Sequence, residues 1–352
     1  MEERKRKETA LQMPPGHARL KLGIIGTNYI SDNLCKAAEQ IPEVDVCAVY
    51  SRKQETGEIF AGKYGIGNVY TDYKKFLESE LDAVYVASPN YMHCEQALAA
   101  MNHGKHVLCE KVMAVNEREI RSMIDCARKN QVILLEAMRP DFDPALDLVE
   151  QHLPELGKLR RVTFEYCQYS GRYDRFREGE VLNAFNPGLS NAAIMDIGVY
   201  CIHSLVRLFG MPKGVKAFSA KLENGFEGSG IVLMQYDGMI AEAVYSKNTV
   251  SVNSSVLQGE DGSLLIDYIG KPEKMEVRLR KGCRDGLAGG VIKEIPYETA
   301  ENNMVFEVRE FARLIEAKEV EHKYLKYSLD TIRVIDEARK QNGIVFQADS
   351  VL

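Results

Sequence analysis

The run His106-Val107-Leu108-Cys109-Glu110-Lys111 ends a buried-strand pattern with a carboxylate and an ammonium side by side. In an open α/β sheet, ligands bind outside the carboxyl ends of the strands. A lysine at that edge is placed for chemistry on a bound molecule. Taken alone, Lys111 reads more readily as a surface lysine following a strand, so its role turns on what else reaches the same edge.

A second candidate site lies upstream. The first apolar strand runs into Gly26-Thr27-Asn28-Tyr29-Ile30-Ser31, which reads G-x-N-x-x-S against the pattern G-x-G-x-x-G/A. Gly26 permits the tight turn out of the strand, and Ser31 is small enough for helix and strand to pack closely. Asn28 replaces the second glycine. Asparagine tolerates positive φ better than most residues, and its amide can donate to a phosphate. The helix behind the loop would offer free N–H groups to an anion. The rival reading is a plain strand-to-helix turn.

The next strand ends in Ser51-Arg52-Lys53. An NAD-binding fold places Asp or Glu here, on the ribose 2′-hydroxyl. A carboxylate would repel a 2′-phosphate, whereas a hydroxyl and a guanidinium would bind it. The pattern favours NADP(H), with NAD(H) as second choice. A solvated basic turn is the alternative.

These residues need a scaffold. From Lys21 to about Leu135, short apolar strands alternate with helical segments such as Ser31–Gln40, Glu55–Tyr64, Tyr91–His103 and Asn116–Asn130. That rhythm implies βαβ units and a doubly wound parallel sheet. After Pro144 it changes to a series of strands, beginning with Leu159–Tyr169 and interrupted by a helix-like stretch at Ala193–Phe209. Asp237-Gly238 is a hairpin signal within the series. Helices at Val305–Ala317 and Leu329–Gln341 close the chain. The expected layout is a disordered leader at 1–20, a dinucleotide-binding Rossmann domain at 21–140 and an α+β domain at 141–352. The second domain carries a large, mostly antiparallel open sheet, and its final helices can pack back on the first.

Composition narrows the function classes. A net charge of −6 argues against a nucleic-acid surface. No apolar run reaches the length of a membrane span. The opening Met1–Lys7 is charged and lacks a secretory h-region, which favours a cytoplasmic protein. Eight cysteines form no C-x-x-C pair and seven histidines no H-E-x-x-H, so neither disulfides nor a metal are expected.

Several motifs in one order resemble the Gfo/Idh/MocA oxidoreductases. They are Leu22–Thr27, Ser51-Arg52, Tyr70–Tyr73, Val84–Asn90 with His93, Gly104–Lys111 and Met195–His203. The resemblance, closest to the glucose-fructose oxidoreductase and dimeric dihydrodiol dehydrogenase branch, covers the chain from about Leu20. It implies cofactor contacts from Gly26, Thr27, Asn28, Tyr29, Ile30, Ser51, Arg52, Ser88, Pro89, Asn90, His93, Glu110 and Lys111. The family's E-K-P motif maps onto Glu110-Lys111-Val112, which makes Lys111 the catalytic lysine. Its D-x-G-x-H/Y motif maps onto Asp196–Tyr200, with Tyr200 at the general acid/base position. The implied activity is hydride transfer between NADP(H) and a secondary alcohol or carbonyl of a sugar, polyol or related diol. A non-catalytic nucleotide-binding sensor of the same fold is the alternative.

Hydride transfer from an alcohol leaves a proton to remove. Tyrosine is a weak base unless its surroundings favour the phenolate, and Lys111 beside Tyr200 would supply that field. Asp196 precedes Tyr200 by four residues, so a helix would put both on one face, where Asp196 could orient Lys111 or bind a substrate hydroxyl. Glu110 would fix the lysine or its backbone. His203, one turn beyond Tyr200, reads as a substrate contact or a packed histidine. Arg172 falls where a substrate loop would lie. Val112 in place of proline leaves Lys111 less restricted. The open sheet implies a homodimer or a dimer of dimers.

Overall fold

The computed structural model describes residues 19–281, 290–297 and 299–350. The leader expected at 1–20 therefore lies outside the described residues, save its last two. The first half runs β1 (Leu20–Ile25), α1 (Tyr29–Ala38), β2 (Val44–Tyr50), α2 (Gln54–Tyr64), β3 (Asn68–Tyr70) and α3 (Tyr73–Leu77). It continues with β4 (Ala83–Val86), α4 (Asn90–Asn102), β5 (His106–Glu110), α5 (Glu117–Asn130) and β6 (Leu134–Ala137). The six strands are parallel, in the order β3-β2-β1-β4-β5-β6. β4 and β6 are buried along their whole length, as strands covered on both faces must be. The strand order reverses between β1 and β4, and that is where such sheets open a ligand crevice.

The second half begins with α6 (Arg139–Phe142), α7 (Pro144–His152), β7 (Leu159–Cys167), α8 (Tyr173–Arg177) and α9 (Val199–Phe209). Then come β8 (Gly214–Lys221), β9 (Glu227–Tyr236), β10 (Met239–Ser246), β11 (Ser255–Gly259), β12 (Gly262–Ile266), β13 (Met275–Leu279) and β14 (Val291–Glu294). They form one sheet in the order β14-β13-β12-β11-β7-β10-β9-β8. Its pairs are antiparallel except β7 with β10, which run parallel. The fold class expected from the sequence is the fold observed.

The helix-like stretch at 193–209 is not uniform. A π-helical turn at Ile194–Gly198 precedes α9. Gly198 lies against Tyr245, and a Cβ there would fall 2.8 Å from the ring. Only glycine lets this turn press onto the sheet, and the turn carries Asp196.

The last two helices, α10 (Met304–Glu316) and α11 (Lys323–Gln341), return to the first half. Met304, Val305, Val308, Phe311 and Leu314 recur at helical spacing and share one buried cluster with Leu22, Ile24, Tyr85 and Leu108 of the parallel sheet. α11 starts six residues before the sequence pattern suggests. Ser328 on its first turns donates to Glu136 of β6 at 2.5 Å. Among the described residues, no helix is long and apolar enough to cross a membrane.

Candidate active site

A cleft of about 870 Å³ runs between the carboxyl edge of the parallel sheet and the π-turn. Gly26 leaves β1 at φ +102°, and a Cβ on it would sit 2.7 Å from the Ala87 carbonyl at the end of β4. This is the close approach for which the sequence motif reserves glycine. Asn28 departs from expectation. Its backbone is extended at φ −98°, and it caps α1, accepting from the Ile30 and Ser31 N–H groups at 2.9 and 3.3 Å. Its amide donates to Ala87 O at 2.8 Å, so it clasps the two strand ends instead of reaching for a phosphate. Tyr29, first in the helix, has no intrahelical acceptor for its own N–H. Ser88 keeps a buried hydroxyl with no partner on the cleft wall. A tight glycine crevice, a helix start and an unpaired buried hydroxyl fit a dinucleotide.

Of the expected cofactor residues, Asn28, Tyr29, Ile30, Ser88, Pro89, Asn90, His93, Glu110 and Lys111 line the cleft. Gly26, Thr27, Ser51 and Arg52 lie beyond its lining, at the ends of β1 and β2. The Ser51 hydroxyl closes its own turn on Lys53 O at 3.0 Å, and Arg52 is exposed. His93 is fully buried and bridges two carbonyls, Val112 O at 2.9 Å and Ser88 O at 2.8 Å. Burial lowers its pKa against the pull of those carbonyls. It ties the lysine loop to the nucleotide wall.

Lys111 leaves β5 next to a cis Lys111–Val112 peptide. Its ammonium donates to Asp196 O at 2.6 Å and Asp196 Oδ1 at 2.8 Å. Buried Val112 and the grip of His93 on its carbonyl hold the loop, so the lysine is placed by hydrogen bonds where the family uses proline. Asp196 also meets Lys247 Nζ, at 2.6 Å from Oδ2. Burial alone would favour its neutral form, but Lys111 and Lys247 hold the carboxyl well below the usual carboxylate range. Burial likewise opposes the charge on Lys111, and Asp196 outweighs it, raising the pKa of the lysine. The pair stays charged.

Tyr200, in the first turn of α9, reaches the same wall. Lys111 Nζ lies 5.3 Å from its ring centre, over the face instead of at the hydroxyl. The hydroxyl accepts from Arg139 Nη2 at 3.0 Å. Two cations thus stand by the Tyr200 ring. Arg139 follows β6 just as Lys111 follows β5, and Lys247 follows β10. The strand-end rule that singles out Lys111 also points to Arg139, two residues beyond β6. Glu110 accepts from the Tyr85 hydroxyl and from its neighbour's backbone N–H, at 3.2 Å, so it fixes the local backbone. Burial raises its pKa. The π-turn is itself pinned by Glu227, which accepts from Ile194 N at 2.8 Å and Tyr245 Oη at 2.7 Å. Burial pushes the Glu227 carboxyl up to about 7.

His203, read from the sequence as a substrate contact or a packed histidine, is not among the residues lining the cleft. It is completely buried, facing α11 and not the cleft, with Asp141 Oδ2 at 2.8 Å and Thr331 Oγ1 at 3.1 Å. One turn along α9 has carried it round toward its helical neighbour. Arg172 lines the mouth of the cleft and is exposed.

A dinucleotide crevice facing a lysine–aspartate–tyrosine cluster is the layout of a nicotinamide-dependent oxidoreductase. Residues 20–138 match the oxidoreductase family with an NAD-binding Rossmann fold, and residues 151–265 match the GFO/IDH/MocA C-terminal domain. The chain belongs to the Gfo/Idh/MocA family of NAD(P)-binding oxidoreductases. It is 45% identical over 333 residues to the scyllo-inositol 2-dehydrogenase (NADP(+)) IolU of Bacillus subtilis, covering 94% of this chain and 99% of that protein. It is 27% identical to the trans-1,2-dihydrobenzene-1,2-diol dehydrogenase of Danio rerio, covering 94% and 99%. The 3-ketoreductase KijD10 of Actinomadura kijaniata, solved with NADP and TDP-benzene, shares the fold with a TM-score of 0.80 at 21% identity, covering 92% and 98%.

Proposed function

We propose that this protein is an NADP(H)-dependent dehydrogenase that moves a hydride between the nicotinamide and a secondary alcohol carbon of a polyol, sugar or related diol. The observation that carries the reading is the convergence of Lys111, Asp196 and Tyr200 on one wall of the dinucleotide cleft. A bound nicotinamide supplies the hydride acceptor or donor. Lys111 has three N–H donors, of which Asp196 takes two, so one remains for the substrate oxygen. Tyr200 takes the hydroxyl proton on oxidation and returns it on reduction. Arg139 offsets the negative charge on the phenol oxygen. The B. subtilis relative supports both a polyol substrate and NADP(H).

A panel of polyols, aldoses and trans-diols, followed by nicotinamide absorbance, tests the activity. Turnover of at least one member with NADP⁺ or NADPH is expected. Silence across the panel by a protein that binds the nucleotide would favour a sensor. For the cofactor, wild type is expected to bind NADPH more tightly than NADH. Arg52→Ala should weaken NADPH by roughly 10- to 100-fold and NADH by less than about threefold. Equal affinities in the wild type sink the preference.

We also propose a homodimer, or a dimer of dimers, through the outer face of the eight-stranded sheet. Phe218, Ile231 and Val244 are cross-strand neighbours on that face, and Phe218 is 70% exposed. An apolar row across three strands needs a cover. Sedimentation velocity should find a dimer or larger species, and Ile231→Asp should release monomers. A monomeric wild type rules the interface out.

A further inference from the structure

Asp196 holds Lys111 from the middle of the π-turn at Ile194–Gly198. Turns of this kind are rare and occur mostly at functional sites, so what keeps this one in shape matters to the lysine. Both of its ends lead to a single buried carboxyl group. At the first end, Glu227 Oε2 accepts from the Ile194 N–H at 2.8 Å. At the other end, Gly198 packs on the ring of Tyr245, whose hydroxyl donates to Glu227 Oε1 at 2.7 Å. Each carboxyl oxygen thus serves one end of the turn. That arrangement needs the ionised group, which only accepts. Protonation puts a hydrogen on one of the two oxygens, where it meets the hydrogen already offered by Tyr245 or by Ile194. One of the two contacts is then given up.

Resting on the dehydrogenase reading, we infer that Glu227 is a positioning residue for Lys111. Ionised, it clasps both ends of the π-turn and keeps Asp196 where it aims the ammonium; protonated, it releases one end and the aim is lost. Burial raises the pKa of this carboxyl to about 7, while the Ile194 N–H, the Tyr245 hydroxyl and its cross-strand partner Lys221 pull the other way. The clasp is therefore complete above neutral pH and opens as the pH falls through about 7. The other groups around it do not change charge there. Burial pushes Tyr245 on β10 and Cys201 on α9 well above their usual range. Asp196, on the turn itself, stays ionised between Lys111 and Lys247.

Two measurements on the full chain, made between about pH 6 and 8.5, test this. Lysines labelled with ¹³C at the ε carbon report on Lys111 without turnover, its signal being the one missing from Lys111→Met. In the wild type that signal should move with a midpoint near 7, and in Glu227→Gln it should stay at its low-pH position. On an accepted substrate, the kcat of wild type divided by that of Glu227→Gln should rise from within about threefold at the acid end to on the order of 10- to 100-fold at the alkaline end. Titration of Tyr200 affects both proteins alike and drops out of the ratio. A glutamate that serves only the fold would give a ratio independent of pH, which overturns the proposal. Tyr245→Phe guards against a misfolded glutamine variant. It keeps the ring on Gly198 and removes a hydroxyl that holds the carboxyl pKa down, so it should move the midpoint upward, and an unmoved midpoint overturns the proposal. A Lys111 signal that titrates in the wild type and not in Glu227→Gln, in a protein that turns over no alcohol or carbonyl, upholds the positioning and refutes the dehydrogenase. Turnover with a signal that holds still across the range upholds the dehydrogenase and refutes the positioning.

Discussion

Replacing Lys111 by methionine is expected to lower kcat/KM by about 10³-fold, while NADPH affinity stays within about threefold of wild type. The size of the loss follows from what the ammonium does. In the proposed mechanism its spare N–H meets the substrate oxygen, where negative charge grows as the proton leaves or the hydride arrives. A fixed donor in a partly dry cleft is worth far more there than in water. Methionine keeps the stem and removes the charge. Asp196 retains Lys247, so its carboxylate is not left unpaired and the π-turn keeps its shape. Steady-state kinetics on an accepted substrate, with nucleotide binding by fluorescence and a melting curve, separates lost chemistry from lost folding. A folded variant with kcat within tenfold of wild type would falsify the catalytic role.

Tyr200→Phe should lower kcat by about 10²- to 10⁴-fold with little change in KM, the range for a positioned acid or base. The ring would stay in place against Tyr166, whose centre is 5.5 Å away. What goes is the hydroxyl and, with it, the acceptor for Arg139. This gives a sharper expectation. If Arg139 acts through that hydroxyl, Arg139→Met should be costly in the wild type and nearly harmless in Tyr200→Phe. Fully additive losses in the double variant would show that the two side chains work separately.

Much of the site is legible in the sequence because parallel sheets collect ligands at one edge. Lys111 stands out for that reason, and β1 with Gly26 does as well. Asp196 and Tyr200 come through the family resemblance, since their convergence on Lys111 depends on how the second domain docks. Spacing does not encode that docking. The backbone of Asn28 is not legible in the sequence because one side chain can either tolerate positive φ or cap a helix, and the nearby Ala87 carbonyl decides for the cap. The sequence leaves His203 open because a helix face is known only when its neighbours are, and α11 arrives from more than a hundred residues away. Lys247 follows β10, a strand of the second, mostly antiparallel sheet, where the edge rule gives no warning. Of the elements, β3 and α3 do not show in the sequence because three- and five-residue segments are too short to carry a period. The helix α7 is likewise hidden by the change of rhythm at Pro144.

The return of α10 to the parallel sheet means that the nucleotide-binding half is not a detachable module. Leu22, Ile24, Tyr85 and Leu108 are covered by Phe311 and its neighbours from the far end of the chain. A fragment ending at residue 140 would carry every glycine and turn of the dinucleotide motif and still bare that apolar face. The chain instead works as a clasp whose last links fasten over its first. Inheritance of the fold should therefore be all or nothing, with neither half free to be traded for another partner.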